Sequence, residues 1–188
     1  MSSIPYTVDR RPDTGVNNVQ MGIWLFLASE VMLFGGLFSA YFMLRAGSLT
    51  PWVPLRDHLG SALLATVLLM AATGLTAAAG RWRRYRASLV TAMLFALAFC
   101  VAKSMDHQAL FEAGRGPASS SHMAVYFLLT GVHMMHVFAG VIVNGWVILV
   151  SGGSPEPAVL MNRLRATSLY WYFVDAVWLL MLVLLYVV

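Results

Sequence analysis

Apolar runs of about twenty residues, separated by short polar joints, set the rhythm of this chain. Five such runs fall at about 20–45, 58–80, 87–106, 122–150 and 166–188, each long enough to cross a ~30 Å hydrocarbon core as a helix rising ~1.5 Å per residue. The joints carry helix-stopping residues: Gly47 to Pro54, the basic turn Arg81 to Arg86, the Gly/Ser/Pro stretch 114–121, and Ser151 to Pro157. The pattern predicts an all-α membrane protein of five transmembrane helices. It forms a single domain, residues 1–188, that begins with a polar arm over 1–19. That arm has no apolar core flanked by a cleavage site, so it does not read as a secretory signal.

Within the runs the polar residues are not scattered. In the first helix a projection at 100° per residue gathers Ala28, Ser29, Gly35, Gly36, Ser39 and Ala40 on one side, and Ile23, Leu27, Phe34, Leu37 and Tyr41 around Glu30 on the other. Small residues four apart let a second backbone approach closely, so the small side is expected to be the packing face and Glu30 to point toward a bulky wall or cleft. The second helix reads as scaffold, its hydroxyls able to bond their own backbone. Near the end of the third, Lys103 and Asp106 are three apart and are expected to form an interfacial ion pair. The fourth helix carries a polar face along its length: His122, Tyr126, Thr130, His136, Gly140 and Asn144 all project within about 60° of His133. The fifth repeats this with Ser168, Trp171, Tyr172, Trp178 and Tyr186 around Asp175. A bilayer tolerates such faces only where they meet other helices or a wet cavity.

Composition supports the membrane reading. Hydrophobic residues make up 60% of the chain and charged residues 11%, against roughly 45–50% and ~25% in soluble domains. The net charge of +4 does not point to nucleic acid, because the arginines stand at helix ends, where headgroups are. Arg45, Arg81, Arg83, Arg84, Arg86, Arg163 and Arg165 are candidate headgroup ligands. On the side of the N-terminus lie Arg10, Arg11, Arg81, Arg83, Arg84, Arg86, Arg163 and Arg165. The opposite side has only Arg45, Arg56, Lys103 and Arg115. The positive-inside rule then places the N-terminus in the cytoplasm and the C-terminus in the periplasm.

Depth brings the ionisable groups together. Along their helices, Glu30 lies roughly 15 Å, Asp175 roughly 13 Å and His136 roughly 20 Å from the inner ends, with His133 a turn further out. Mutual hydrogen bonding among some of Glu30, His133, His136 and Asp175 is expected, leaving no charge unpaired. His133 and His136 with a carboxylate could begin a metal or haem site. However, the Glu-x-x-His pairs of di-iron bundles are missing, and helices one and five have no histidine to face them. Cys100, the single cysteine, sits in an apolar run. The chain has no Gly-x-Ser-x-Gly elbow or phosphate loop, and its prolines fall in the arm and joints rather than breaking helices at the midplane as in transporters. The polar seam fits a proton-accessible or lipid-lined cleft beside a larger enzyme; an independent cofactor-binding or transport protein is the alternative from another class.

Three ordered blocks carry a resemblance. Gly22-Ile-Trp-Leu-Phe-Leu-Ala-Ser-Glu30 with Phe38-Ser-Ala-Tyr-Phe42 and Arg45, Thr130-Gly-Val-His133 with His136-Val137 and Gly140, and Tyr170-Trp171 with Phe173-Val-Asp175 and Val177-Trp178 closely resemble subunit III of the haem-copper respiratory oxidases. The resemblance implies a bacterial terminal oxidase of the cytochrome c or quinol type in the inner membrane, in which this chain carries no redox centre. Haem and copper would reside in partner subunits, with subunit I the main contact. The chain would hold phospholipids in a V-shaped cleft and support proton uptake and durability. Glu30 matches the family's intramembrane glutamate, and His133, His136 and Asp175 its recurrent polar positions. Compared with the seven-helix mitochondrial form, this looks like the shorter bacterial form lacking the first two helices. Tyr172 replaces a usual histidine. Tyr126 to His133 is also similar to a branch associated with nitric oxide reductases, whose accessory subunit is the alternative within the family.

Overall fold

The computed structural model describes residues 6–49, 51–81, 84–151 and 156–188, apart from the side chain of Arg81. Five helices are long and apolar enough to cross a membrane: α1 (Asn18–Ala46), α2 (Leu59–Ala78), α3 (Tyr85–Glu112), α4 (Ser121–Val150) and α5 (Pro157–Leu182). Asn17 starts α1 by accepting a hydrogen bond from the Gln20 amide at 2.8 Å, and the Ser120 hydroxyl does the same for Met123 at 3.2 Å. Helices α2, α3, α4 and α5 pack in a ring around the core, and α1 lies outside it against α5 and, over a shorter length, α4. Phe99, Trp171, Trp178 and Leu129 fill the centre of the ring.

Two helices run further than the apolar pattern predicts. Helix α3 continues past 106 to Glu112, and α5 begins at Pro157 rather than 166. Pro157 is therefore inside a helix and not in a joint; its fixed φ and missing amide suit a first-turn position, where the N–H would have no partner. The extension of α3 changes the setting of Lys103. Instead of an interfacial pair, Lys103 is 0% exposed. It donates to Asp106 at 2.5 Å and to the Tyr186 hydroxyl at 2.9 Å, and Tyr186 meets Tyr126 at 3.0 Å. Ser61 of α2 also donates to Asp106, at 2.9 Å. The charge is thus enclosed by four helices.

After Leu182 the last turn widens into a π-helical turn, Val183–Val187, which frees carbonyls that the rest of the chain takes up. Tyr41 donates to Leu184 O at 2.7 Å, the Leu55 amide to Leu185 O at 3.1 Å, and Arg45 to Val188 O at 3.0 Å. At the other end the arm folds back on the bundle. Asn162 donates to Thr7 O, and Arg11 pairs with Asp13 at 2.9 Å, drawing that exposed carboxyl down to about 2.

Helix α1 reverses one expectation. Its buried residues are Leu27, Phe34, Phe38 and Tyr41, the bulky stripe flanking Glu30. Ala28, Ser29, Gly35, Gly36, Ser39 and Ala40 are all exposed, and a Cβ on Gly35 or Gly36 would meet nothing within 4 Å. The bulky side fills the groove between α4 and α5 because it supplies the volume that this groove needs. Among the described residues nothing packs on Gly35 or Gly36, and the small side stays exposed.

Candidate functional site

Glu30 and His136 form the centre of the site. His136 Nε2 lies 2.8 Å from Glu30 Oε2, and its Nδ1 lies 2.8 Å from Val132 O. A carbonyl can only accept, so Nδ1 carries a hydrogen. The Glu30–His136 contact then holds one shared proton, either as a carboxylic acid donating to neutral imidazole or as imidazolium donating to carboxylate. Both forms are neutral overall, which a low-dielectric setting requires. Phe34 packs edge-on against His136 at 5.0 Å, and Tyr170 donates to His136 O at 2.7 Å. The pair is therefore fixed by groups from α1, α4 and α5.

Only these two of the four ionisable candidates are joined. His133, 1% exposed, turns into the α2–α5 ring, where its imidazole stacks on Trp178 at 5.4 Å and meets the edge of Phe99 at 5.7 Å. Neither of its ring nitrogens has a hydrogen-bond partner among the described residues. Asp175 faces α2 beside Thr73, and its Oδ1 likewise has no partner among the described residues. The hydrogen bonding expected among some of these four is the Glu30–His136 contact, and His133 and Asp175 stand apart from it. The cause is angular. Three residues advance a helix by 300°, so His133 and His136 point about 60° apart and enter different interfaces.

The rest of the polar seam ties helices together. Trp178 donates to the Thr66 hydroxyl at 2.9 Å, and Trp171 donates to Asn144, which donates to Thr76 at 3.2 Å. His107, which the sequence pattern did not single out as a site residue, donates to the Thr130 hydroxyl at 2.9 Å, because the Thr130 hydrogen is already given to Tyr126 O. Tyr172, grouped with this face by projection, is 53% exposed instead.

Two grooves open on the N-terminal side of the bundle. One, about 460 Å³, runs between α1, α4 and α5 and is lined by Ile23, Phe26, Tyr170, Trp146 and Arg163. The Arg163 guanidinium lies over the Trp146 ring at 5.5 Å. Tyr170 lines this groove and also donates to His136 O, so the groove lies beside the Glu30 pair although neither partner lines it. The other, about 360 Å³, includes Gln20, Arg165, Ser168 and Tyr172. Of the other arginine candidates, Arg86 donates to Ser151 O at 3.0 Å, Arg84 is exposed, and Arg45 bonds Tyr41 and the chain end. Arg83 and the Arg81 side chain lie outside the described residues. Among the described residues, no three of His, Cys, Asp and Glu gather as they would around a metal ion.

Comparison with known proteins gives this geometry a context. The family profile for cytochrome c oxidase subunit III matches residues 11–188. A cytochrome c oxidase subunit 3 of Corynebacterium diphtheriae is 31% identical over 182 residues, covering 90% of this chain and 88% of the relative. A probable cytochrome c oxidase subunit 3 of Mycobacterium tuberculosis is 30% identical over 179 residues, with the same coverage. A haem-copper oxidase subunit I+III of Aeropyrum pernix is 28% identical over 186 residues, covering 92% of this chain and 23% of the relative. The chain belongs to the cytochrome c oxidase subunit III family of the haem-copper oxidases.

Proposed function

We propose that this chain serves a bacterial haem-copper terminal oxidase as a subunit without a redox centre, packing on subunit I, retaining phospholipid and supporting proton uptake through Glu30 and His136. Haem and copper would belong to the partner subunits. The fused subunit I+III of Aeropyrum pernix supports subunit I as the main contact, because a single polypeptide holds its parts in register. The open small-residue side of α1 offers a transmembrane partner close backbone approach. Basic residues concentrate on the N-terminal side, which supports a cytoplasmic N-terminus in the plasma membrane.

The observation that carries the reading is the 2.8 Å contact between Glu30 and His136 beside a groove open on one side. A pair that accepts a proton on one partner as the shared proton leaves from the other stays neutral throughout, so it can relay protons toward a larger neighbour. An acyl chain suits the apolar groove and a headgroup suits Arg163. In the purified oxidase complex, Glu30→Gln can still hydrogen-bond His136 but cannot exchange a proton. The variant should leave haem spectra unchanged and should slow proton uptake and shorten the number of turnovers before inactivation. Unchanged uptake and durability would refute the proton role; lost haem absorbance would assign Glu30 to assembly.

A further inference from the structure

On the side opposite the N-terminus, a cavity of about 270 Å³ opens between the α1–α2 turn and the α3–α4 joint. Its walls include Trp52, Arg115, Ser119, Ser121 and His122. Trp52 stacks nearly parallel on His122, 5.0 Å apart at 20°, and is braced by the Tyr41 ring at 5.3 Å. The wall is therefore anchored through Tyr41 to α1 and to the chain end.

The lining chemistry selects an anion. Arg115 is half-buried, and none of the ion pairs among the described residues involves it. No carboxylate among the described residues lines the cavity. A guanidinium held in a concavity without a carboxylate presents a planar fork of N–H donors, the shape that phosphate oxygens accept two at a time. The serines are not equivalent. Ser119 gives its hydrogen to Gly116 O at 2.7 Å and Ser120 caps Met123, whereas the Ser121 hydroxyl has no partner among the described residues. The His122 imidazole adds a donor beside it.

We propose that this cavity binds a phosphate-class oxyanion, with Arg115 as the two-point anchor and Ser121 and His122 completing the shell. The same chemistry is offered by a phospholipid headgroup at the membrane surface and by free phosphate in the adjoining water.

The test uses the full chain in a phosphate-free sugar detergent, with inorganic phosphate as probe in equilibrium dialysis. Saturable binding is expected, weakened about tenfold or more by Arg115→Gln, less by Arg115→Lys, and not by Arg56→Gln, on the same side but outside the cavity. The Lys variant keeps the charge and tests the fork, so a folding defect in the Gln variant does not decide the matter. In nanodiscs containing phosphatidylglycerol, loss of phosphate binding identifies the lipid headgroup as occupant, and retained binding identifies the free anion. The proposal is overturned if the native chain shows no saturable binding, or if Arg56→Gln weakens it equally. It is also overturned if Arg115→Gln leaves phosphate binding intact while loosening a partner subunit, which would assign the cavity to a partner carboxylate.

Discussion

At the scale of single residues, Gly140 on α4 is the glycine with the least room for a side chain among the described residues. A Cβ built there would stand 2.8 Å from Trp171 Cζ2 and 3.1 Å from the Tyr170 ring. Trp171 is fully buried and bonded to Asn144, and Tyr170 holds His136 O, so neither ring can yield without breaking a polar contact. Gly140→Ala should cost about 1–3 kcal/mol, the usual penalty for overpacking, read as a lower midpoint in thermal unfolding in detergent. Gly131→Ala, where no atom beyond its own stretch of helix lies within 4 Å of the added carbon among the described residues, should change little. Gly140 was visible in the sequence as part of the polar face of the fourth helix, but its partners were not. The close ring contacts depend on how α4 and α5 rotate against each other, which periodicity along one helix does not specify. His133 teaches the same lesson: it shares a polar arc with His136, yet the arc divides between two interfaces.

At the scale of elements, the five spans were legible because apolar length is a local property that the bilayer enforces. Their ends were not. Lys103, read as interfacial from its place near the end of an apolar run, is enclosed because α3 carries two more turns of mixed polarity beyond it. The enclosure links α2, α3, α4 and the π-helical end of α5 through Ser61, Asp106, Tyr126 and Tyr186. Removing one partner should cost about 3–5 kcal/mol, because the other charge is then buried alone. Lys103→Met or Asp106→Leu alone should therefore lower the unfolding midpoint strongly, while the double variant recovers most of the loss. A loss in the double variant equal to the sum of the two single losses would show that the pair is not energetically coupled. The π-helical turn itself had no sequence signal; it is legible only in the four carbonyls that Tyr41, Leu55, Arg56 and Arg45 take up.

At the scale of the whole molecule, the architecture is a four-helix ring with α1 attached along one side, and α1 is the helix least covered by its own chain. The small-residue side of α1 was expected to be its packing face, whereas the bulky side packs and the small side stays exposed, because periodicity along one helix does not say which face its neighbours take. The ordered blocks around Glu30, His133 and Asp175 were enough to suggest the family, which the match over residues 11–188 shows. A subunit with an uncovered helix and a neutral intramembrane pair makes sense as part of a larger assembly. The most direct measurement is purification of the tagged full chain from its native membranes in mild detergent, with mass spectrometry, an optical spectrum and metal analysis before and after the subunits are separated. The account predicts a haem-copper subunit I in equal amount, with haem and copper following that subunit. Haem or metal bound stoichiometrically to the separated chain, or purification without such a partner, would contradict it.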